Sequence, residues 1–94
     1  MKVPERFELY GTTFKVRDRA PSHFSTRNTY GHYIYEDGVI EINSQIPDRI
    51  RLQTFFHEFF HCALEELGFH NESAREDMVD GLAQLTVQML RTAR

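Results

Sequence analysis

The chain has a single cysteine, no tryptophan and no apolar run long enough to cross a membrane. One cysteine cannot close an internal disulfide, so the sequence favours a reducing compartment. The first residues lack the hydrophobic region of a signal peptide, which predicts a cytoplasmic protein without a membrane partner. Because the formal net charge is only −3, nothing in the composition predicts binding to nucleic acid. The 94 residues have room for one domain, covering positions 1–94.

Glycine and proline are absent from the stretch between Pro47 and Gly68. Pro47 and Asp48 are typical helix start signals and Gly68 is a typical stop signal, so the sequence predicts one helix from Asp48 to Leu67. Apolar side chains recur on nearly every side of this helix, which indicates that it is buried. We therefore expect Cys62, the lone cysteine, to be a small core residue rather than a metal ligand.

Within this helix, the residues His57-Glu58-Phe59-Phe60-His61 form the pattern H-E-x-x-H. Side chains four residues apart lie about 5–6 Å from each other on one helical face, so both imidazoles can reach one zinc ion at about 2.0–2.1 Å. Burying these polar groups without partners would cost on the order of several kcal/mol, which a zinc ion would offset. The pattern therefore predicts a zinc-dependent hydrolase, with His57 and His61 as ligands and Glu58 as the base.

A catalytic zinc site usually has a third protein ligand. A second helix is predicted from Ser73 to Thr92, and Glu76 and Asp80 lie on one face near its start. We expect Glu76 to bind the metal and Asp80 to orient a ligand histidine through its second ring nitrogen. A capping box formed by Ser73 and Glu76 would instead explain the glutamate without any metal.

Other side chains near the second helix keep the choice of the third ligand open. Asp80 is the next candidate, and the remaining ones are His70, Glu72 and Asp77. The metzincin pattern H-E-x-x-H-x-x-G-x-x-H would require a histidine at position 67. That residue is Leu67, so the metzincin arrangement is excluded.

The residues before the first helix predict two hairpins. Apolar and polar residues alternate from Phe7 to Val16 on both sides of Gly11-Thr12, which predicts the first hairpin. Two runs of aromatic and β-branched residues, at positions 30–35 and 39–43, flank the dipeptide Asp37-Gly38, which favours a type I′ turn.

The segment between the hairpins, residues 17–28, contains proline, serine, threonine and arginine and is expected to form a connecting loop. The element order is then four strands followed by two helices. The predicted fold class is α+β, with a small twisted antiparallel sheet of two hairpins, an active-site helix and a C-terminal helix.

Three segments resemble the minimal zincin domains related to the ImmA/IrrE metallopeptidases, many of which are encoded by bacteria, phages and prophages. These segments are Tyr30–Tyr35, Asp37–Asn43 and Thr54–His61, and the similarity extends to about Leu90. The resemblance implies an active-site helix beneath a small sheet whose edge strand receives an extended peptide. The residue roles that it implies are zinc ligands at His57, His61 and Glu76, a general base at Glu58 and a supporting carboxylate at Asp80.

The expected reaction is hydrolysis of an amide bond in a peptide or protein substrate. Zinc would lower the pKa of its bound water toward about 7 and polarise the scissile carbonyl, while Glu58 would carry the proton to the leaving amine. The developing negative charge needs a further donor. Tyr30 is the first candidate, because Gly31 beside it would allow a close backbone approach. The other candidates are Tyr33, Tyr35 and His32.

Two other functions are compatible with the same fold. A zincin-like protein can keep zinc for stability while its surface binds another protein, and the phenylalanines of the motif helix could contribute to that surface. Alternatively, zinc is absent and the motif is vestigial, in which case Glu58 could be replaced with little effect on folding.

Overall fold

The computed structural model of the protein describes residues 1–26 and 29–94. In chain order the elements are β1 (Arg6–Leu9), β2 (Thr12–Arg19), β3 (Gly31–Ile34), β4 (Val39–Asn43), α1 (Asp48–Glu66), α2 (His70–Ser73) and α3 (Glu76–Thr92), with 3₁₀ turns at Pro21–His23 and Tyr35–Asp37. Within the described residues there are thus four strands and three helices, which confirms the predicted α+β class.

The sheet is mixed, so the antiparallel sheet predicted from the sequence is wrong. The strand order is β1-β2-β4-β3, in which the outer pairs are antiparallel and the central β2–β4 pair is parallel. All five residues of β4, Val39–Asn43, are buried. A strand that is buried on both faces belongs inside a sheet, and β4 therefore lies between β2 and β3. β3 forms the edge of the sheet beside β4, and it contacts α1.

The two predicted hairpins are present, but their turns differ. Tyr10 and Gly11 between β1 and β2 both have positive φ angles, 48° and 82°, as a type I′ turn requires. Between β3 and β4 only Gly38 is left-handed, with φ of 63°, and its amide donates to the carbonyl of Tyr35 over 3.1 Å. Because Asp37 belongs to a 3₁₀ turn, the type I′ turn predicted at Asp37-Gly38 is wrong.

The predicted loop at residues 17–28 begins later than expected. Residues 17–19 continue β2 and pair in parallel with the last three residues of β4. Their charged side chains suggested a loop, but pairing with the buried β4 makes them a strand. Residues 27 and 28 of the predicted loop lie outside the described residues.

The core lies between the sheet and α1. Its most buried members are Phe14, Ile40, Ile42, Phe55 and Cys62, and the ring of Phe7 stacks on that of Phe14. Cys62 is completely buried, which confirms the prediction that it is a core residue, and burial raises the pKa of its thiol to about 12. α1 contacts β3 and β4 on one side and α3 on the other.

The positions at which the helices begin and end determine where the side chains of the candidate site lie. α1 ends within one residue of the predicted position, because Gly68 adopts φ of 84° and the amide of Phe69 donates to the carbonyl of Leu64 over 2.8 Å. The predicted helix from Ser73 to Thr92 is divided in two: Ser73 ends α2, and α3 begins at Glu76. None of the described helices is long and apolar enough to cross a membrane.

Candidate metal centre

Side chains from α1 and α3 converge beside the N-terminus of α3. His57 Nε2 lies 2.9 Å from Glu76 Oε2, His61 Nε2 lies 3.0 Å from Glu76 Oε1, and the two Nε2 atoms are 3.3 Å apart. The i, i+4 spacing on α1 aligns the two imidazoles, and the short connection through α2 brings the glutamate opposite them. The structure thus brings together the three residues that were predicted as ligands.

The separation of 3.3 Å between the two Nε2 atoms fits a tetrahedral metal ion, and an oxygen of Glu76 lies close to each imidazole. With bonds of about 2.0–2.1 Å, two ligand atoms of a tetrahedral zinc site lie roughly 3.3 Å apart. Two imidazole nitrogens and a carboxylate oxygen are also a ligand set found in catalytic zinc sites. His61 is buried, and burial lowers the pKa of its imidazole, which favours the neutral form that binds a metal.

The second ring nitrogen of each histidine faces its own polar partner. His57 Nδ1 lies 3.4 Å from Asp80 Oδ1, and Gln84 Nε2 donates to Asp80 Oδ2 over 2.7 Å. Asp80 therefore occupies the supporting position predicted for it. His61 Nδ1 lies 3.4 Å from the hydroxyl of Ser73. Partners at Nδ1 hold both rings with Nε2 directed to the shared site.

Ser73 was expected to cap a helix, and the structure gives it a different role. Its hydroxyl donates to the backbone carbonyl of His61 over 3.1 Å, and the N-cap of α3 is Arg75. The capping box that would have explained Glu76 without a metal is therefore wrong. No sequence signal indicated the contact, because it joins residues twelve positions apart through the fold.

The other candidates for the third ligand point elsewhere. His70 is hydrogen-bonded to Glu65, and Asp77 faces Arg75 at 3.5 Å. Within the described residues, the group formed around α1 and α3 contains only His57, His61 and Glu76, so His70, Glu72 and Asp77 are not part of it.

Glu58 is buried beside the three converging residues. Its side chain faces β3, and its Oε2 atom accepts no hydrogen bond from any residue that the structure describes. Burial raises the pKa of this carboxyl to about 7, although the nearby His57 opposes the increase. A carboxyl group whose pKa lies near neutrality can both accept and release a proton, as a general base must.

Gly31 lets β3 approach α1 closely. A Cβ atom at this position would lie 2.8 Å from Thr54 Cγ2 and 2.9 Å from the carbonyl oxygen of Glu41. Only a residue without a side chain fits there, and the same atom would be 3.8 Å from Glu58 Cγ. The edge strand therefore passes directly beside the candidate base.

The tyrosines proposed as donors separate into two groups. Tyr35 donates to Glu66 Oε2 over 2.6 Å, which places its hydroxyl away from the site. Tyr33 stacks on His61, with ring centroids 4.8 Å apart. Tyr30 is about half exposed and lines a groove beside His57 and Glu58. The structure thus leaves Tyr30 and Tyr33 near the site, and the catalytic role of Tyr30 stays a prediction.

A second group of metal-binding residue types lies on the opposite face of the sheet. His23 and His32 direct their Nε2 atoms to Oε1 of the buried Glu41, at 2.9 and 2.6 Å. Arg19 Nε donates to the other carboxylate oxygen over 2.6 Å. This carboxylate is already neutralised by a guanidinium that would repel a metal ion, so the group is better explained as a hydrogen-bonded ion pair. His32 is consequently not available to the site on α1.

No protein-family model, curated protein or solved structure matches this chain. The resemblance to ImmA/IrrE zincins therefore stays a prediction, and the geometry around His57, Glu58, His61 and Glu76 carries the functional interpretation.

Proposed function

We propose that the protein is a zinc-dependent metallopeptidase of the zincin type, in which His57, His61 and Glu76 hold zinc. The observation that carries this proposal is the convergence of three side chains from two helices beside a buried carboxyl group. The two Nε2 atoms lie 3.3 Å apart, and each lies 2.9–3.0 Å from one oxygen of Glu76. The expected substrate is a segment of a cytoplasmic peptide or protein.

When bound, zinc would supply a Lewis acid that polarises the scissile carbonyl and acidifies water. Glu58 takes a proton from the attacking water and later delivers it to the leaving amine. Its burial supports the first step, because burial raises the pKa of the carboxyl group and so makes the carboxylate a stronger base. Asp80 and Ser73 hold the two histidine rings in orientation.

The substrate would bind as an added strand at the edge of β3. The carbonyl of Tyr30 accepts a hydrogen bond from the amide of Asn43 over 2.8 Å. Because the bonding residues of an antiparallel pair alternate, the backbone groups of Gly31 and Tyr33 point away from β4, toward the free edge. An extended peptide paired with them would lie beside Glu58, and Tyr30 would donate to the developing oxyanion.

Substitution of Glu58 by glutamine tests the catalytic part of this proposal. Glu58→Gln keeps the shape of the side chain but removes the base, so we expect one zinc per chain and at least a roughly hundredfold loss of peptide hydrolysis. Zinc content and the cleavage of a proteome-derived peptide library, read by mass spectrometry, are the measurements. Glu66→Gln, on the same helix but facing Tyr35, is the matched control. Cleavage by Glu58→Gln at the wild-type rate would show that this carboxylate is not the base.

A second function is favoured by an apolar surface on α3. Leu85 and Met89 are 66 and 54% exposed, and Leu82 and Leu90 lie beside them. Three of the four phenylalanines of α1 do not contribute to such a surface, since Phe55 is buried and Phe56 and Phe59 pack against the core. A protein that kept zinc for stability could bind a partner through α3. Zinc-loaded wild type that cleaves no peptide faster than Glu58→Gln would favour this second function.

A further inference from the structure

The groove beside the candidate metal centre ends at two arginines. We propose that these arginines, Arg49 and Arg91, bind a carboxylate of the substrate on the carboxyl-terminal side of the scissile bond. The inference rests on the proposed function, because it names the class of peptide that the same site would cleave.

Three groove residues follow one another along α1. Arg49, Gln53 and His57 are spaced four residues apart, so they lie on one helical face, and all three line a groove of about 590 Å³. Arg49 and His57 are eight positions apart, which corresponds to a distance of about 12 Å along the helix axis. The groove thus extends from the candidate metal centre to the first turn of α1.

Arg91 reaches the same end of the groove from α3. Its Nη2 atom donates to the backbone carbonyl of Arg49 over 2.9 Å, which brings the guanidinium to the first turn of α1. Within residues 1–26 and 29–94, no carboxylate lies within salt-bridge distance of either arginine. The same is true of Arg6, Arg17 and Arg94, but those three do not line the groove. Two arginines without a carboxylate partner at a groove end favour an anionic ligand.

The charges along the groove change sign from one end to the other. Asp80 lines the groove beside His57, at the metal end, and the arginines line the opposite end. The N-terminus of α1 adds a partial positive charge there, because the peptide dipoles of a helix point their positive ends toward its first turn. Asp48, the acidic residue of that turn, lines a separate depression.

For a peptide that pairs antiparallel with β3, the direction of this strand determines which part of the peptide would reach the arginines. Gly31 approaches Thr54 and Tyr33 stacks on His61, so β3 and α1 run in the same direction. A peptide paired antiparallel with β3 would therefore run toward the N-terminus of α1. At about 3.3 Å per residue, a distance of about 12 Å corresponds to three or four residues after the scissile bond.

The carboxylate that the arginines would bind can come from either of two parts of a peptide. It belongs either to an aspartate or glutamate side chain within a longer peptide, or to the free C-terminus of a short one. Both present the same planar anion to the guanidinium groups, so only substrates that differ in one of these features can separate them.

The test uses the full chain loaded with zinc. The wild type is first profiled on the proteome-derived peptide library, and the best-cleaved peptide is then resynthesised with its acidic side chain amidated or with its C-terminus amidated. We expect cleavage to be enriched where a carboxylate follows the cut by three or four residues. Amidation of the relevant carboxylate should lower kcat/KM of the wild type by roughly tenfold. Whichever of the two amidated peptides has the lower kcat/KM shows whether the arginines bind the side-chain carboxylate or the C-terminal carboxylate.

Arg49→Gln and the double variant with Arg91→Gln show whether the arginines cause the preference. Both variants should keep one zinc per chain but should no longer cleave the acid faster than the amide. The control Arg94→Gln should still prefer the acid. Arg49→Gln alone preserves the bond from Arg91 to the backbone carbonyl, so it changes the charge without loosening α3. Two results would overturn this inference and leave the proposed function intact. One is a preference for the acid over the amide that persists in both arginine variants, and the other is a wild type that cleaves peptides without this preference. A wild type that cleaves no peptide faster than Glu58→Gln would overturn both.

Discussion

Among the residues that the structure describes, the buried polar side chains have hydrogen-bond partners, and Glu58 is the exception. Thr54 donates to the carbonyl of Ile50, and Ser73 donates to that of His61. Glu58 Oε2 alone is buried without a hydrogen bond from the described residues. An unpaired buried polar atom costs about 1–3 kcal/mol, so its presence beside two histidines is better explained by chemistry than by stability.

Glu41 provides a prediction about acid stability. Burial alone would raise the pKa of this carboxyl, but hydrogen bonds from His32, Arg19 and His23 outweigh burial and lower it to about 2, from an ordinary value of 4.5. A lowered pKa stabilises the fold above the unfolded-state value, and this contribution is lost as the pH falls from about 4.5 to about 2. Glu41→Gln should therefore weaken the dependence of unfolding free energy on pH in this window and lower stability at neutral pH.

Urea denaturation at a series of pH values measures this effect. Glu8→Gln, on the exposed side of β1, is the control and should retain the wild-type pH dependence. Equal slopes for Glu41→Gln and the wild type between about pH 2 and pH 4.5 would show that the ion pair does not contribute to acid stability.

All three candidate ligands and the supporting Asp80 could be predicted from the sequence, whereas two contacts around them could not. The spacing of His57, Glu58 and His61 is fixed by the helix, so the pattern alone predicted their common location. The contact of Ser73 with His61 and the approach of Gly31 to Thr54 depend on where α2 and β3 pack. A serine three residues before a glutamate favours a helix cap locally, but packing of α2 against α1 instead directs the Ser73 hydroxyl to the carbonyl of His61.

At the level of elements, the end of α1 determines where α3 begins. Gly68 turns the chain out of the helix, α2 adds a single turn, and Glu76 then opens α3 opposite the two histidines. The N-terminus of α3 thus carries the third candidate ligand. A longer or shorter connection would move the carboxylate along α1 by a turn or more.

Two glycines allow a matched test of this connection. Gly68 has φ of 84°, so Gly68→Ala should destabilise the protein by about 1 kcal/mol, although its Cβ atom would meet no neighbour. Gly81 lies within α3, where a Cβ atom would also meet nothing, and Gly81→Ala should stabilise the protein by about 0.5–1 kcal/mol. Urea denaturation gives both values. Stabilisation by Gly68→Ala would show that a left-handed residue is not needed to end α1.

The elements themselves were largely predictable, but their arrangement in the sheet was not. Alternation of apolar residues and a glycine at the turn are local signals, and they predicted both hairpins. The parallel pairing of β2 with β4 depends on burial of β4 from both sides, which only the assembled sheet shows. The boundary between α2 and α3 was missed because residues 73–76, where one helix ends and the next begins, contain no glycine or proline.

At the level of the whole molecule, the candidate metal centre joins two helices that share only part of the core. α1 packs on the sheet, and α3 packs on α1 through Val79, Ala83 and Val87. Zinc held by His57, His61 and Glu76 would link them near the N-terminus of α3. In a chain of 94 residues, with a correspondingly small core, such a link would add to the stability of the folded state.

The most direct test of the account is the zinc content of the purified, reconstituted protein by elemental analysis. We expect one zinc per wild-type chain, its loss in His57→Ala, His61→Ala and Glu76→Ala, and its retention in Asp77→Ala. Asp80→Ala should still bind one zinc at saturation, but with about 10–100-fold lower affinity, because it removes only the partner of a ligand. A wild type that binds no zinc, or a Glu76→Ala variant that keeps it at wild-type affinity, would contradict the proposed centre.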